Sequence, residues 1–245
     1  MRELSNESHP QGSQMPPWAQ IDTVMFDMDG TLLDLHFDNY FWQTFLPRAW
    51  ARARGMDLES ASHRLHQMYS ELRGTLNWYC LDFWAEQLQL DITLLKHEVK
   101  HKIAIRPNVV DLLTKLRQLD KRILLITNAH PDSLNLKLAH TGIGRYFDNT
   151  ISSHVLRLAK ENHGFWTALL ELEHYDPNRT MLIDDSLPVL RQAQKEQIRY
   201  LYGIYQPDSQ QDPLLAEEFP QIIDFGHIMP ALHPAAGSRP LSEAP

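Results

Sequence analysis

The sequence predicts an α/β fold built on a parallel sheet, and three observations carry that prediction. Five short runs are apolar throughout instead of alternating, which is the pattern of strands covered on both faces. Helical periodicity lies between most of them. After the first run, about eighty residues carry helical patterns with no strand among them.

In chain order, residues 1–19 are rich in Ser, Gln, Pro and Asn and are expected to form a mobile tail. The first strand is expected at 23–27 (TVMFD). Helical patterns then cover 37–54, 60–73, 82–90 and 92–105. A βα connection is normally a few residues long, so this stretch reads as a small helical domain planted in the first crossover, at 34–105. Pro107 is suited to open the next helix, because its missing N–H is harmless in a first turn. Val109, Leu112, Leu113, Leu116 and Leu119 recur there with helical spacing. Further strands are expected at 122–127 (RILLIT), 149–152 (NTIS), 180–184 (TMLID) and 199–203 (RYLYG). Strand–helix alternation implies right-handed crossovers. The result is a Rossmann-like parallel sheet core at 20–33 and 106–230, with a helical cap domain inserted after the first strand and a second mobile tail at 231–245.

Composition excludes several classes of function. The chain has 245 residues and 43% hydrophobic content, enough for a real core. A net charge of −8 argues against a DNA or RNA polymer as partner. The single cysteine, Cys80, allows neither an internal disulfide nor a Cys-based zinc site, and its aromatic neighbours suggest a packed thiol. No run of eighteen apolar residues predicts a membrane span, and the first twenty residues lack a secretory apolar run. The expectation is a soluble cytoplasmic protein.

Polar residues stand at three strand ends: Asp27 with Asp29, Thr127 with Asn128, and Asp184 with Asp185. In an open parallel sheet the ligand crevice lies outside the carboxyl ends of the strands, so these residues are expected to converge. Clustered carboxylates repel one another and need a cation, and oxygen ligands favour Mg²⁺. Lys160 offers a further positive charge, while Thr127, Asn128 and backbone N–H groups offer donors to an anion. That set suits phosphoryl transfer, where positioning and charge neutralisation do most of the catalysis.

The run Asp27-Met28-Asp29-Gly30-Thr31-Leu32 resembles the first signature of the haloacid dehalogenase superfamily of hydrolases. Thr127 in LLITNAH resembles its second motif, Lys160 its third, and Asp184-Asp185 in LIDDS its fourth. The resemblance covers roughly residues 20 to 205, and the insertion is similar to that family's helical cap. LDLHFDNYFWQ, TLNWYCLDFW, RILLITNAHP and LIDDS are similar to the bacterial GMP/IMP nucleotidase branch. Two departures stand out. The third motif reads Lys160-Glu161 instead of Lys-Pro, with Glu161 expected at a helix start. Val189 and Leu190 occupy positions where a further acid often follows the fourth motif.

The resemblance implies Asp27 as nucleophile and Asp29 as general acid and base. It implies Mg²⁺ held by the Asp27 side chain, the Asp29 carbonyl and Asp185, with Asp184 as a second acidic contact. It implies that Thr127, Asn128 and Lys160 hold the phosphoryl group. An acid two residues after the nucleophile favours a phosphatase or phosphomutase, since dehalogenation has no ester oxygen to protonate. The cap is expected to choose the substrate, a purine nucleoside 5′-monophosphate such as GMP or IMP. Trp42 and Trp78 are candidates for stacking on the base, and Asn39 and Asn77 for reading its edge. A small sugar-phosphate or phosphoglycolate-type phosphatase and a non-catalytic phosphate-binding module remain as alternatives.

Other features have plainer readings. Cap aromatics at helical spacing usually form a core. His97-Glu98-Val99-Lys100-His101 matches the H-E-x-x-H zinc pattern, but the third ligand is missing, so a solvated helix face is expected. His130 either lines the site or sits in the turn before Pro131. Gly142 and Gly144 read as a turn before the third strand.

Overall fold

The computed structural model describes residues 15–214 and 218–231. The expected mobile tails lie outside the described residues at 1–14 and 232–245. From Pro16 onward the chain is packed, contrary to the expected tail: the Trp18 indole N–H donates to the Ile228 carbonyl at 2.9 Å, and Lys121 Nζ donates to Trp18 O at 2.9 Å.

Six parallel strands form one sheet: β1 (Thr23–Phe26), β2 (Arg122–Thr127), β3 (Asn149–Ser152), β4 (Thr180–Ile183), β5 (Tyr200–Ile204) and β6 (Gln221–Ile222). The five expected strands are present. The sixth spans two residues, too few for a run of apolar residues to announce it. The order is β3-β2-β1-β4-β5-β6. The chain thus winds outward from β1 on one side and then returns to pair β4 on the other. That reversal opens a crevice at the carboxyl end of β1.

Alternation within the strands serves both faces. Val24, Phe26, Ile123 and Leu125 join one core, which runs without a break into the helical insertion through Phe37, Phe41 and Trp84. Met25, Leu124, Ile126 and Leu182 join the other, against Phe165, Trp166, Leu169 and Leu190. The insertion therefore shares a core with one face of the sheet.

The insertion comprises α1 (His36–Tyr40), a π-helical turn (Phe41–Phe45), α2 (Leu46–Arg54), α3 (Leu58–Leu72), α4 (Leu76–Tyr79), α5 (Leu81–Leu88) and α6 (Ile92–Glu98). The expected helix at 37–54 carries that wide turn just before Pro47, which has no N–H for the regular ladder. Asp57 caps α3 by accepting from Ser60 N at 2.8 Å, and Asp91 caps α6 by accepting from Leu94 N at 2.8 Å. The expected helix at 92–105 ends early, at Glu98, and a 3₁₀ turn follows at Lys100–Lys102. His97 and His101 are both exposed and do not share one helix, which leaves the zinc pattern without its scaffold.

The two chain segments entering and leaving the insertion lie side by side. Leu33 bridges Ile105, Asp34 N donates to Ala104 O at 2.9 Å, and Arg106 N donates to Leu32 O at 3.0 Å. The remaining helices are α7 (Val109–Gln118), α8 (Pro131–Thr141), α9 (Phe165–Leu172) and α10 (Leu187–Lys195). Gly142 ends α8 in the left-handed conformation, as the turn before β3 requires.

Candidate active site

Asp27 follows β1, Thr127 ends β2, and Asp184 follows β4, so the register of the three central strands brings these side chains to one edge. They border a cavity of about 300 Å³ together with Asp29, Asn128, Lys160 and Asp185. Helix α1, the π turn and α4 close it from above with Asp38, Asn39, Trp42, Trp78 and Tyr79.

Lys160 is 1% exposed and lies between two carboxylates. Its Nζ donates to Asp27 Oδ1 at 2.5 Å, Asp184 Oδ2 at 2.6 Å and the Ile126 carbonyl at 3.0 Å. Burial drives the lysine toward its neutral form, but Asp184 and Asp27 outweigh it and hold the ammonium charged. Burial lifts Asp27 to about 6, against the opposing pull of Lys160.

Asp184 and Asp185 are adjacent in sequence but differ in surroundings. Asp184 Oδ1 accepts from Ser186 N at 2.9 Å and its other oxygen is taken by Lys160, so both are committed. Asp185 accepts no hydrogen bond from another side chain among the described residues. Its carboxyl is pushed well above the usual range by burial and by the charges of Asp27 and Asp184. Gly30, at φ +87°, lies against it: a Cβ there would stand 2.5 Å from Asp185 Oδ2. Only glycine lets the chain pass so close in that conformation. An unneutralised carboxylate beside Asp27 fits a hard cation held by oxygen ligands. This geometry favours Asp185 over Asp184 as the ligand.

A second buried lysine, which the sequence reading did not single out, holds Asp29. Lys137 Nζ lies 2.6 Å from Asp29 Oδ1 and 2.6 Å from Asp38 Oδ2. Lys96, also buried, donates to Asp38 Oδ1 at 2.8 Å and sits over the Phe37 and Phe41 rings. Burial lifts Asp29 to about 6 in spite of Lys137. Burial also acts on Asp38, but there Lys137 and Lys96 prevail and hold it at about 2. A signal for both lysines existed. Lys96 lies four residues after buried Ile92 on α6, and Lys137 lies three residues after buried Leu134 on α8. A charge standing on an apolar stripe is rarely buried without a partner.

Asn128 and Glu161 do structural work at the cleft. Asn128 Oδ1 accepts from Lys160 N at 2.9 Å, and its Nδ2 donates to Glu161 Oε2 at 2.9 Å. Tyr79 of the insertion donates to Glu161 Oε1 at 2.8 Å. Glu161 therefore opens no helix, because α9 begins only at Phe165; it ties the insertion to the core. Thr127 Oγ1 accepts from Ala129 N at 3.1 Å, which leaves its hydroxyl hydrogen for a ligand. His130 combines both expected placements: it borders the cavity and caps α8, its Nδ1 accepting from Asp132 N at 3.3 Å.

Among the expected base-reading residues, Trp42 and Trp78 border the cavity. Asn39 does too, but its amide donates to Asp208 Oδ2 at 2.7 Å and its oxygen accepts from Gln43 at 3.3 Å, so it is largely committed. Asn77 is exposed and does not border the cavity, because the short α4 turns its face to solvent. Trp84 and Phe41 are fully buried core residues.

Comparison with known proteins gives a consistent picture. The family model of the haloacid dehalogenase-like hydrolases matches residues 21–192. The chain is 40% identical over 215 residues to the GMP/IMP nucleotidase YrfG of Escherichia coli (strain K12), covering 88% of this chain and 97% of that one. The GMP/IMP nucleotidase YrfG of Shigella flexneri matches with the same figures. The crystal structure of an HAD phosphatase from Thermococcus onnurineus superposes with a TM-score of 0.69 at 21% identity, over 83% of this chain and 94% of that one. No helix among the described residues is long and apolar enough to cross a membrane.

Proposed function

The chain belongs to the haloacid dehalogenase-like hydrolases, and from that premise we propose that it is a Mg²⁺-dependent phosphomonoesterase acting on purine nucleoside 5′-monophosphates, GMP and IMP first. One observation carries the phosphatase reading: Asp27 and Asp29 border one cavity, each bonded to its own buried lysine, while Asp185 beside them has no salt-bridge partner among the described residues.

In this reading an Asp27 carboxylate oxygen attacks phosphorus. A bond from that oxygen to phosphorus forms as the bond to the ester oxygen breaks, leaving an aspartyl phosphate. Asp29 gives its proton to the departing ester oxygen. It then takes a proton from the water that attacks phosphorus, which releases inorganic phosphate and restores Asp27. A carboxyl near pH 6 is well poised for both directions of transfer. Thr127 offers a hydroxyl donor to the phosphoryl oxygens. Lys160 offsets their charge and keeps Asp27 in place, and Asn128 fixes the backbone of Lys160. Asp27, Asp185 and the Asp29 carbonyl would hold Mg²⁺, which when bound neutralises charge on the nucleophile and the phosphoryl group.

The cap is residues 34–105, and its Trp42 and Trp78 supply flat surfaces for a purine. This specificity rests on those rings and on the 40% identity to the two nucleotidases. The test is phosphate release from a panel of nucleotides and sugar phosphates, with Mg²⁺ and with chelator. Purine monophosphates are expected to lead and chelator to stop turnover. Equal rates across the panel would remove the purine assignment. Asp27→Asn is expected to lower turnover by on the order of 10⁴ or more. Full turnover in that variant would remove the covalent step.

A further inference from the structure

We propose that Cys80, His130 and His154 form a second metal site, for a thiophilic transition ion of the Zn²⁺ type, joining the helical insertion to the core. One ligand atom from each residue lies within 4.8 Å of the other two. The three come from separate parts of the fold. Cys80 stands between α4 and α5 in the insertion, His130 caps α8 after β2, and His154 lies in the 3₁₀ turn after β3. The two imidazoles meet edge to face, with centroids 5.0 Å apart.

The tautomer of His154 follows from its neighbours. Ser152 Oγ gives its one proton to the Ala129 carbonyl at 2.7 Å. Toward His154 it therefore only accepts, and the Nδ1–H donates to it at 3.3 Å. The lone pair is left on Nε2, which is buried and has no hydrogen-bond partner among the described residues. A buried acceptor without a partner calls for an explanation, and an ion is one. The Ser152 contact is the kind of outer hydrogen bond that orients a metal-bound imidazole.

His130 brings two carboxylates. Asp82 Oδ2 lies 3.4 Å from its Nε2, and Asp132 Oδ2 lies 3.7 Å from its Nδ1; a neutral imidazole has one lone pair, so on binding the ion the bond that Nδ1 accepts from Asp132 N–H at 3.3 Å gives way, either to the ion or to a proton when Nε2 is the ligand. Together with the Cys80 thiolate formed on binding, the two carboxylates offset a divalent charge. A single cysteine cannot build a zinc site by itself, as the sequence implies, but with two histidines from other parts of the fold it can: one sulfur and two nitrogens select Zn²⁺ over Mg²⁺, which prefers oxygen. The site thus differs in chemistry from the all-oxygen set at Asp27 and Asp185. Because His130 also borders the catalytic cavity, an ion here would hold Cys80, and with it α4 and α5, against the core.

The experiment is Co²⁺ and Zn²⁺ binding to the full chain in excess Mg²⁺, under reducing conditions without oxygen. The expected result is one Co²⁺ per chain with a sulfur-to-cobalt charge-transfer band, displaced by Zn²⁺. The band is expected to vanish in Cys80→Ser, and affinity to fall at least about tenfold in His154→Gln and in Ser152→Ala. These last two keep the test decisive where Cys80→Ser folds poorly. Absence of the band in the folded wild type, or equal affinity in wild type and His154→Gln, would overturn the proposal. Neither readout depends on phosphatase activity, so failure here is separable from failure of the catalytic reading.

Discussion

Lys160 and Lys137 are equally buried, each 1% exposed, and each bridges two carboxylates. Their partners come from different places. Asp27 and Asp184, which flank Lys160, both belong to the sheet edge. Asp29 and Asp38, which flank Lys137, come from opposite sides of the cleft, since Asp38 is on α1 of the insertion. The first cluster is assembled within the core alone, since Lys160 lies in the connection between β3 and α9. The second exists only while the insertion lies against the core, and Lys96 of α6 reinforces the insertion's half. The position of Asp29, the proposed acid–base carboxylate, is thereby tied to that of the insertion, whereas that of Asp27, the proposed nucleophile, is not.

The largest expected effect is at Lys160. Lys160→Met leaves Asp27 and Asp184 buried without a cation, which costs about 3–5 kcal/mol of stability and removes turnover. Urea unfolding and phosphate release measure both. Lys137→Met should cost less stability, because Asp38 keeps Lys96, but it should lower kcat by about 10²–10³ through misplacement of Asp29. Equal stability losses in the two variants, with turnover kept in Lys137→Met, would break the contrast.

Acid sharpens the same contrast. Lys137 and Lys96 hold Asp38 at about 2, below its ordinary value of 3.8. The folded state therefore binds fewer protons at this group than the unfolded chain. The stabilisation is full above about pH 4 and is lost as pH falls toward 2. It amounts to about 2 kcal/mol, and Asp38→Asn should lack that part of the acid dependence. Matching slopes for wild type and variant between pH 4 and 3 would contradict it. Within the insertion, Trp42→Ala is expected to raise KM about tenfold or more by loss of stacking. Asn77→Ala, exposed and away from the cavity, should stay within about twofold.

The strand-end residues were legible because a parallel sheet collects its carboxyl ends at one edge, so Asp27, Thr127 and Asp184 could be placed from strand assignment alone. Lys137, Asp38 and Lys96 were not legible as a group: each sits on a different helix, and no spacing rule relates α1, α6 and α8. The wide turn at Phe41–Phe45 and the two-residue β6 escaped for local reasons, one being a small change in helical pitch and the other too short to show a period.

The amino-acid sequence by itself determined the α/β class, the five longer strands, the helical insertion and the residues at the strand ends, because these follow from periodicity and order along the chain. Tertiary structure alone decided that Asp184 is spent on Lys160 while Asp185 faces Gly30, that Glu161 binds Tyr79, and that Asp29 leans on Asp38 through Lys137. Pairings of this kind depend on burial and on distances across the fold, and burial is what turns a charged side chain from a surface ornament into a group that must find a partner.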